Sequence, residues 1–361
     1  MQYDHVYPIE VDQTGGGVAK LQIGYNTGEN PFVAAQRFID SYMLPQHHLN
    51  EIADYIQQRA GHEAPTLGGG ASAPAPNATT GVPMISYQHL PMPSYKTFEL
   101  SAKNATTTLE KMQAKVRDFG KLSDSQLEQI ASLCNTLGET NRYHSSKIDP
   151  SELNVILEML DALPPTEAFP ALDLARLAVA HPNGAIQSNF AYWTKIMSKA
   201  LSLCESTVGL QGAAAVAIPM LSLRLFTNAF KGGPGSLQAV VSLLDNVLGC
   251  VNKFIASKNK NVRISVATLL YNISYYLYTK EARVDIASGV VAAVDSILKT
   301  NTYEGEAITR SLIAVGTTVL ASPEAKETAK ALFLVSRVEM SASPHGDIAK
   351  AVAKEVYSAL A

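Results

Sequence analysis

The 361-residue chain reads as mainly α: a helical solenoid behind a small α+β piece and a flexible linker. Three observations lead there. Residues 64–84 (APTLGGGASAPAPNATTGVPM) hold 17 Ala, Gly, Pro, Ser or Thr in 21 positions and no charge. No apolar period can develop in such a stretch, and its prolines and glycines punctuate any helix. From Lys103 onward apolar residues recur at helical period between cap and corner signals, with no convincing strand. Ahead of the linker, short alternating stretches precede two helical ones. The resulting organisation is 1–62 as a small domain, 63–94 as linker and 95–361 as the helical part. At roughly 40–47 residues per armadillo or HEAT unit, the helical part accommodates about six units, with an irregular helical bundle as the rival arrangement.

The elements follow in order. Tyr3–Val11 and Ala19–Ile23 alternate and flank Gly15-Gly16-Gly17, which predicts a hairpin. A helix from Asn30 to Tyr42 has Asn30 as cap and Pro31 at its first position, where the missing N–H costs nothing. A second runs from Pro45 to Arg59 and stops before Gly61. In the helical part, Ser123 with Gln126 and Asp149 with Glu152 are capping boxes, the latter with Pro150 just inside. Pro164-Pro165, His181-Pro182-Asn183-Gly184, Gly232-Gly233-Pro234-Gly235 and Ser322-Pro323 mark corners.

Charge and composition exclude several function classes. With 29 basic and 32 acidic residues the net charge is −3, so bulk charge does not hold the chain to nucleic acid. Residues 1–94 carry 3 basic and 8 acidic side chains, and residues 95–361 carry 26 and 24. Three widely spaced cysteines, Cys134, Cys204 and Cys250, build neither a disulfide framework nor a zinc site. No secretory signal and no apolar run of membrane-spanning length is visible, which predicts a soluble intracellular protein; the expected location is cytoplasmic and nuclear.

Two helices attract attention. In the expected helix Asn261–Tyr278, Val262, Val266, Leu269, Leu270, Ile273, Tyr276 and Leu277 form one apolar face. A second stripe, Ser265, Thr268, Asn272, Tyr275 and Thr279, is polar but uncharged. Such a stripe suits a half-buried surface that meets another backbone, because an asparagine amide donates and accepts at once. The expected helix Gly212–Phe230 carries Arg224 and Asn228 inside an apolar run, and Arg310 repeats the situation in EAITRSLIAVGTTV. Each arginine is either paired internally or lines a wet groove that receives carboxylates. Lys253, Lys258, Lys260, Arg263, Lys280 and Arg283 stand against Glu281 alone, as a solvated cluster or a patch for an acidic peptide. The candidate groove is thus Arg224, Asn228, Arg263, Thr268, Asn272 and Arg310, on the binding wall of a stacked helical array.

Signals for catalysis are poor. The glycine runs at 68–70 and 232–235 lack a following Lys-Ser/Thr, and His47-His48 with Glu51 lacks the HExxH spacing. The sequence calls for no catalytic residue, metal or cofactor. The competing class is a cysteine hydrolase or isopeptidase using Cys204 or Cys250.

Within residues 3–58, with NPF-x-A-x-x-F at Asn30, Pro31, Phe32, Ala35 and Phe38, the chain resembles the later part of a PFU domain. The segments FPALDLARLAVAHP (169–182), MLSLRLFTNAF (220–230), NKNVRISVATLLYNIS (259–274) and TRSLIAVGTTV (309–319) resemble a PUL domain. In this order they look like the C-terminal half of the PLAA-type (phospholipase-activating protein) family. The resemblance implies a non-enzymatic adaptor of the ubiquitin system. Its PFU part would bind ubiquitin through Asn30, Pro31, Phe32 and Phe38. Its armadillo-like PUL part would bind the C-terminal tail of the AAA ATPase valosin-containing protein, with Arg224, Asn228, Asn272 and Arg310 matching the family's groove residues. Neither nucleic acid nor membrane is an expected partner.

Overall fold

The computed structural model describes residues 3–13, 17–26, 31–42, 52–53, 55–56, 59, 87–91, 94–100, 104–139, 146–181, 190–280 and 282–361. The chain divides into two compact units, Met1–Pro83 and Met84–Ala361.

In the first unit the expected hairpin is present as β1 (His5–Gln13) and β2 (Gly17–Tyr25), longer than the alternation alone marked. The strands are antiparallel, with His5 opposite Tyr25 and Gln13 opposite Gly17. Gly17 therefore belongs to β2 and not to the turn. Helix α1 (Pro31–Tyr42) follows, with Pro31 in its first position; Asn30, the expected cap, lies outside the described residues. Of the expected Pro45–Arg59 helix, the described residues 52, 53, 55, 56 and 59 are helical. Ile23 and Tyr25 point from one face of β2 onto Ala34, Ala35, Phe38 and Ile39 of α1 and onto Ile52, Ala53 and Ile56. Arg37 ties helix to strand by donating to the Gly24 carbonyl at 3.0 Å while lying over the Tyr3 ring. Gly24 is needed there, because a Cβ would meet that ring at 2.1 Å.

The second unit is helical throughout its described regular structure. It opens with α2 (Ala105–Asp118), α3 (Asp124–Gly138) and α4 (Pro150–Ala162). Both expected capping boxes form. The Ser123 amide donates to Gln126 at 2.9 Å, and the Asp149 amide donates to Glu152 at 3.0 Å, with Pro150 in the first turn. Then come α5 (Phe169–Ala180), α6 (Phe190–Thr207), α7 (Ala214–Ala229), α8 (Pro234–Ser242) and α9 (Leu244–Phe254). The remainder is α10 (Lys260–Thr279), α11 (Val284–Thr300), α12 (Gly305–Ala321), α13 (Pro323–Ala331), α14 (Leu334–Ala342) and α15 (Asp347–Leu360). Helix α7 runs through Pro219, whose ring removes one ladder hydrogen bond without ending the helix.

The helices stack in two rows. Helices α5, α7, α10, α12 and α15 pack each on the next, and α6, α8–α9, α11 and α13–α14 pack behind them. This alternation makes the array solenoidal, with a continuous apolar seam of Leu, Ile, Val and Ala between the rows. Within α10 the expected apolar face is buried, including Val262, Val266, Leu269, Leu270, Ile273 and Leu277. Among the described residues no single helix is long and apolar enough to cross a membrane.

The expected linker is too long at its C-terminal end. Residues 87–91 and 94, assigned to it from composition, belong to the second unit: Leu90 is 4% exposed in the solenoid core. An irregular segment that lends one apolar side chain to a distant helix has no periodicity to betray it.

Candidate peptide-binding site

The first row of helices forms a wall, and the described residues 88–91 and 94–98 lie across it as a strap without regular secondary structure. The Gln88 and His89 amides donate to the Glu355 carboxylate of α15 at 2.8 and 2.9 Å. Leu90 seats against Gly316 of α12 and Val356 of α15, where a Cβ on Gly316 would meet the Leu90 side chain at 2.6 Å. Tyr271 of α10 donates its hydroxyl to the Ser94 carbonyl at 3.1 Å. Lys96 then reaches Asn272 of α10, and Phe98 reaches Asn228 of α7 and Arg176 of α5. The strap runs opposite to the helix order.

The two asparagines do identical work. Asn272 Oδ1 accepts the Lys96 amide at 2.9 Å, and its Nδ2 donates to the Lys96 carbonyl at 2.8 Å and to the Thr227 carbonyl of α7 at 2.9 Å. Asn228 Oδ1 accepts the Phe98 amide at 2.7 Å, and its Nδ2 donates to the Phe98 carbonyl at 3.0 Å and to the Arg176 carbonyl of α5 at 2.9 Å. Each amide thus joins two neighbouring helices and one strap residue. Both side chains are fully buried. The sequence reading had them meet a visiting backbone; the backbone they hold is the chain's own, and this corrects the expectation of an open ladder.

Arg224 lies one turn before Asn228 on α7, and Arg310 lies on α12. Arg224 Nε donates to Ser265 of α10 at 3.1 Å, and Arg310 of α12 donates to Thr268 of the same helix. The two hydroxyls pass the interaction on by donating to the Asn261 and Ile264 carbonyls of α10. Arg224, Asn228, Thr268, Asn272 and Arg310 are therefore brought together along α7, α10 and α12. Arg310 also pairs with the exposed Glu306 of its own helix. Arg224 has no carboxylate within ion-pair distance among the described residues, and its guanidinium lies 4.6 Å from the Phe98 ring centroid. Burial and the neighbouring Arg176 pull its pKa down to about 10, against the opposing charge of Asp173. It stays protonated at neutral pH, and an arriving carboxylate relieves this unfavourable setting.

Arg263 behaves differently. Its guanidinium donates to the Ser257 and Lys258 carbonyls at 3.2 and 2.8 Å and pairs with Glu304, so it closes the loop before α10 and is removed from the groove set. Two further cations of the basic cluster are paired, Lys253 on Glu205 and Arg283 on Asp245 and Asp285. Lys258, Lys260 and Lys280 are exposed.

Two residues that the sequence reading passed over complete the site. Arg176 is buried, donates to Asp173 at 2.6 Å and to the Phe98 carbonyl at 2.6 Å, and Tyr271 holds Ser94. The signal that singled out Arg224, an arginine in an apolar helical run, is equally present in LDLARLAVA. In the first unit, Phe38 is 4% exposed and belongs to the core, so its expected role as a ubiquitin contact is corrected to a packing role. Pro31 is buried at the start of α1. Asn30 and the side chain of Phe32 lie outside the described residues, as do His47 and His48.

The cysteines are poor nucleophiles. All three are buried. Burial pushes the Cys134 thiol up to about 12, and a hydrogen bond with Cys204 together with burial pushes the Cys250 thiol up. This setting contradicts the cysteine-hydrolase alternative, which needs an accessible thiolate.

The family model described as "PUL domain" matches residues 91–354, and that described as "PFU (PLAA family ubiquitin binding)" matches residues 1–64. The chain is 26% identical over 384 residues to the "Phospholipase A-2-activating protein" of Xenopus laevis, covering 94% of this chain and 47% of that one. It is 26% identical over 321 residues to the "Ubiquitin homeostasis protein lub1" of Schizosaccharomyces pombe, covering 88% and 40%. The chain therefore spans about half the length, or less, of these curated relatives. Among solved structures, a PFU–PUL domain pair of Saccharomyces cerevisiae Doa1/Ufd3 aligns with 99% of this chain and 97% of its own, at 15% identity and a TM-score of 0.48.

Proposed function

Since this chain belongs to the PUL domain family, with a PFU domain ahead of it, we propose that it is a non-enzymatic adaptor of the ubiquitin system. Its solenoid wall binds the acidic C-terminal tail of the AAA ATPase valosin-containing protein, and its first unit binds ubiquitin. The observation that carries the first half is Arg224: a half-buried guanidinium with no carboxylate partner among the described residues, beside an extended strap. Arg310 supports it as a second cation on the same wall, held by Thr268. The PFU description supports the second half, with Asn30 and Phe32 retained as the candidate contacts and the buried Pro31 set aside with Phe38.

Calorimetry of the full chain with a synthetic peptide of the ATPase's last ten residues tests the wall. Arg224→Ala is expected to weaken binding about tenfold or more, as loss of a charge-assisted hydrogen bond of about 1.5–3 kcal/mol requires. Arg310→Glu, which adds repulsion, is expected to weaken it further. Binding unchanged by both substitutions removes the wall from the account. For the first unit, ubiquitin titrated into isotopically labelled chain is expected to move amide signals of residues 1–64 and leave those of the solenoid in place.

A further inference from the structure

Lys96 and Phe98, two residues apart, each turn both backbone groups toward the wall. That is the period of an extended strand, so the groups of the intervening residues point the opposite way. No backbone partner is found for Tyr95 or Thr97 among the described residues. The side chains show how the strand is set. Tyr95 packs on Phe230 and Tyr275 at 5.7 and 4.9 Å, both C-terminal to the asparagines on their helices. Phe98 lies under Arg224, one turn N-terminal to Asn228. With side chains sent to opposite flanks, the strap stands on one edge, and its other edge faces away from the wall.

We propose that this free edge, the N–H and C=O groups of Tyr95 and Thr97, receives an extended acidic peptide as an added strand. The inference rests on the peptide-binding reading above and specifies its mode. A strand edge with unpaired groups is a template for an incoming backbone. Here the asparagines fix the template by its far edge, so it is ordered before the visitor arrives. Side chains of an added strand alternate between the flanks as those of the strap do. Every second side chain therefore falls on the Arg224 flank, and carboxylates at alternate positions fit the cation there. Backbone pairing supplies contact, and the arginine selects charge.

Thr97→Pro separates this mode from simple ion pairing. It deletes one outward N–H and leaves the Asn228 and Asn272 bonds intact, and the restriction that proline places on Lys96 is the extended conformation already present. Calorimetry of the full chain with the ATPase tail peptide is expected to show at least a tenfold loss for Thr97→Pro with an unchanged melting temperature. In a second arm that needs no protein variant, the peptide is N-methylated at one residue at a time. Loss of affinity is expected at alternate positions only. Thr97→Pro binding within twofold of the unaltered chain, or N-methylation effects without alternation, overturns the edge while the adaptor reading stands. If the unmodified peptide does not bind the unaltered chain, both fall.

Discussion

Asn272 makes three hydrogen bonds from one amide, to the Lys96 amide, the Lys96 carbonyl and the Thr227 carbonyl. Replacing it with leucine keeps the volume and strands an N–H and two carbonyls. At about 1–3 kcal/mol for each group left unpaired, Asn272→Leu is expected to cost about 3 kcal/mol or more of unfolding free energy, read from urea titration. His181 is a second residue with a measurable consequence. It is fully buried at the end of α5, 2.9 Å from the Ser146 hydroxyl, and burial lowers its pKa to about 4. The unfolded chain binds this proton near pH 6.5 and the folded chain only near 4. Stability is therefore fully present above pH 6.5, falls as pH drops toward 4 and levels off below. The loss is at most about 3 kcal/mol, and His181→Gln is expected to flatten that part of the curve. Both asparagines and Arg224 were legible in the sequence, because a polar or charged side chain in an apolar helical run demands a partner. What they hold was not, since the partner is a backbone far away in sequence.

The strap is the element that organises the site, although it has no regular secondary structure. Its anchor is Leu90, whose seat exists only because position 316 has no side chain. In an isolated helix Gly316→Ala would add about 1 kcal/mol of helical preference. Here the new methyl displaces Leu90 and Val356, so the substitution is expected to lower the melting temperature and speed amide exchange at 88–98. The same end is tied by Glu355. Burial alone would raise that carboxyl's pKa, but hydrogen bonds from His89 and the 88 and 89 amides outweigh it and hold the pKa below the usual glutamate range. A carboxylate depressed in this way stabilises the docked strap above its unfolded pKa and releases it as pH falls through the folded value. Glu355→Gln is expected to remove that acid sensitivity, measured by amide exchange at Gln88 and His89. Helices, caps and the hairpin were readable because each has a period or a chemical punctuation mark. The strap has neither, and proline-containing polar sequence on its N-terminal side made it look like more linker.

At the scale of the whole molecule, a small α+β unit precedes a two-row helical array, and the described chemistry concentrates on one wall of that array. Net charge is a poor guide to this arrangement: in the most basic stretch of the sequence Lys253, Arg263 and Arg283 are paired with carboxylates, while Arg224 in an apolar run is left without one among the described residues. The solenoid class followed from helix spacing and length, whereas the direction each helix presents to the strap depends on packing between rows. The most direct test of the central claim is a magnetic-resonance titration of the isotopically labelled full chain with the ATPase tail peptide. The observed signals are the backbone amides of residues 94–99 and the Arg224 and Arg310 side-chain N–H groups. Shifts at Tyr95, Thr97, Arg224 and Arg310, with Lys96 and Phe98 amides still protected from exchange, are the predicted result. Shifts confined to the second row of helices, or loss of protection at Lys96 and Phe98 as the peptide displaces the strap, would contradict it.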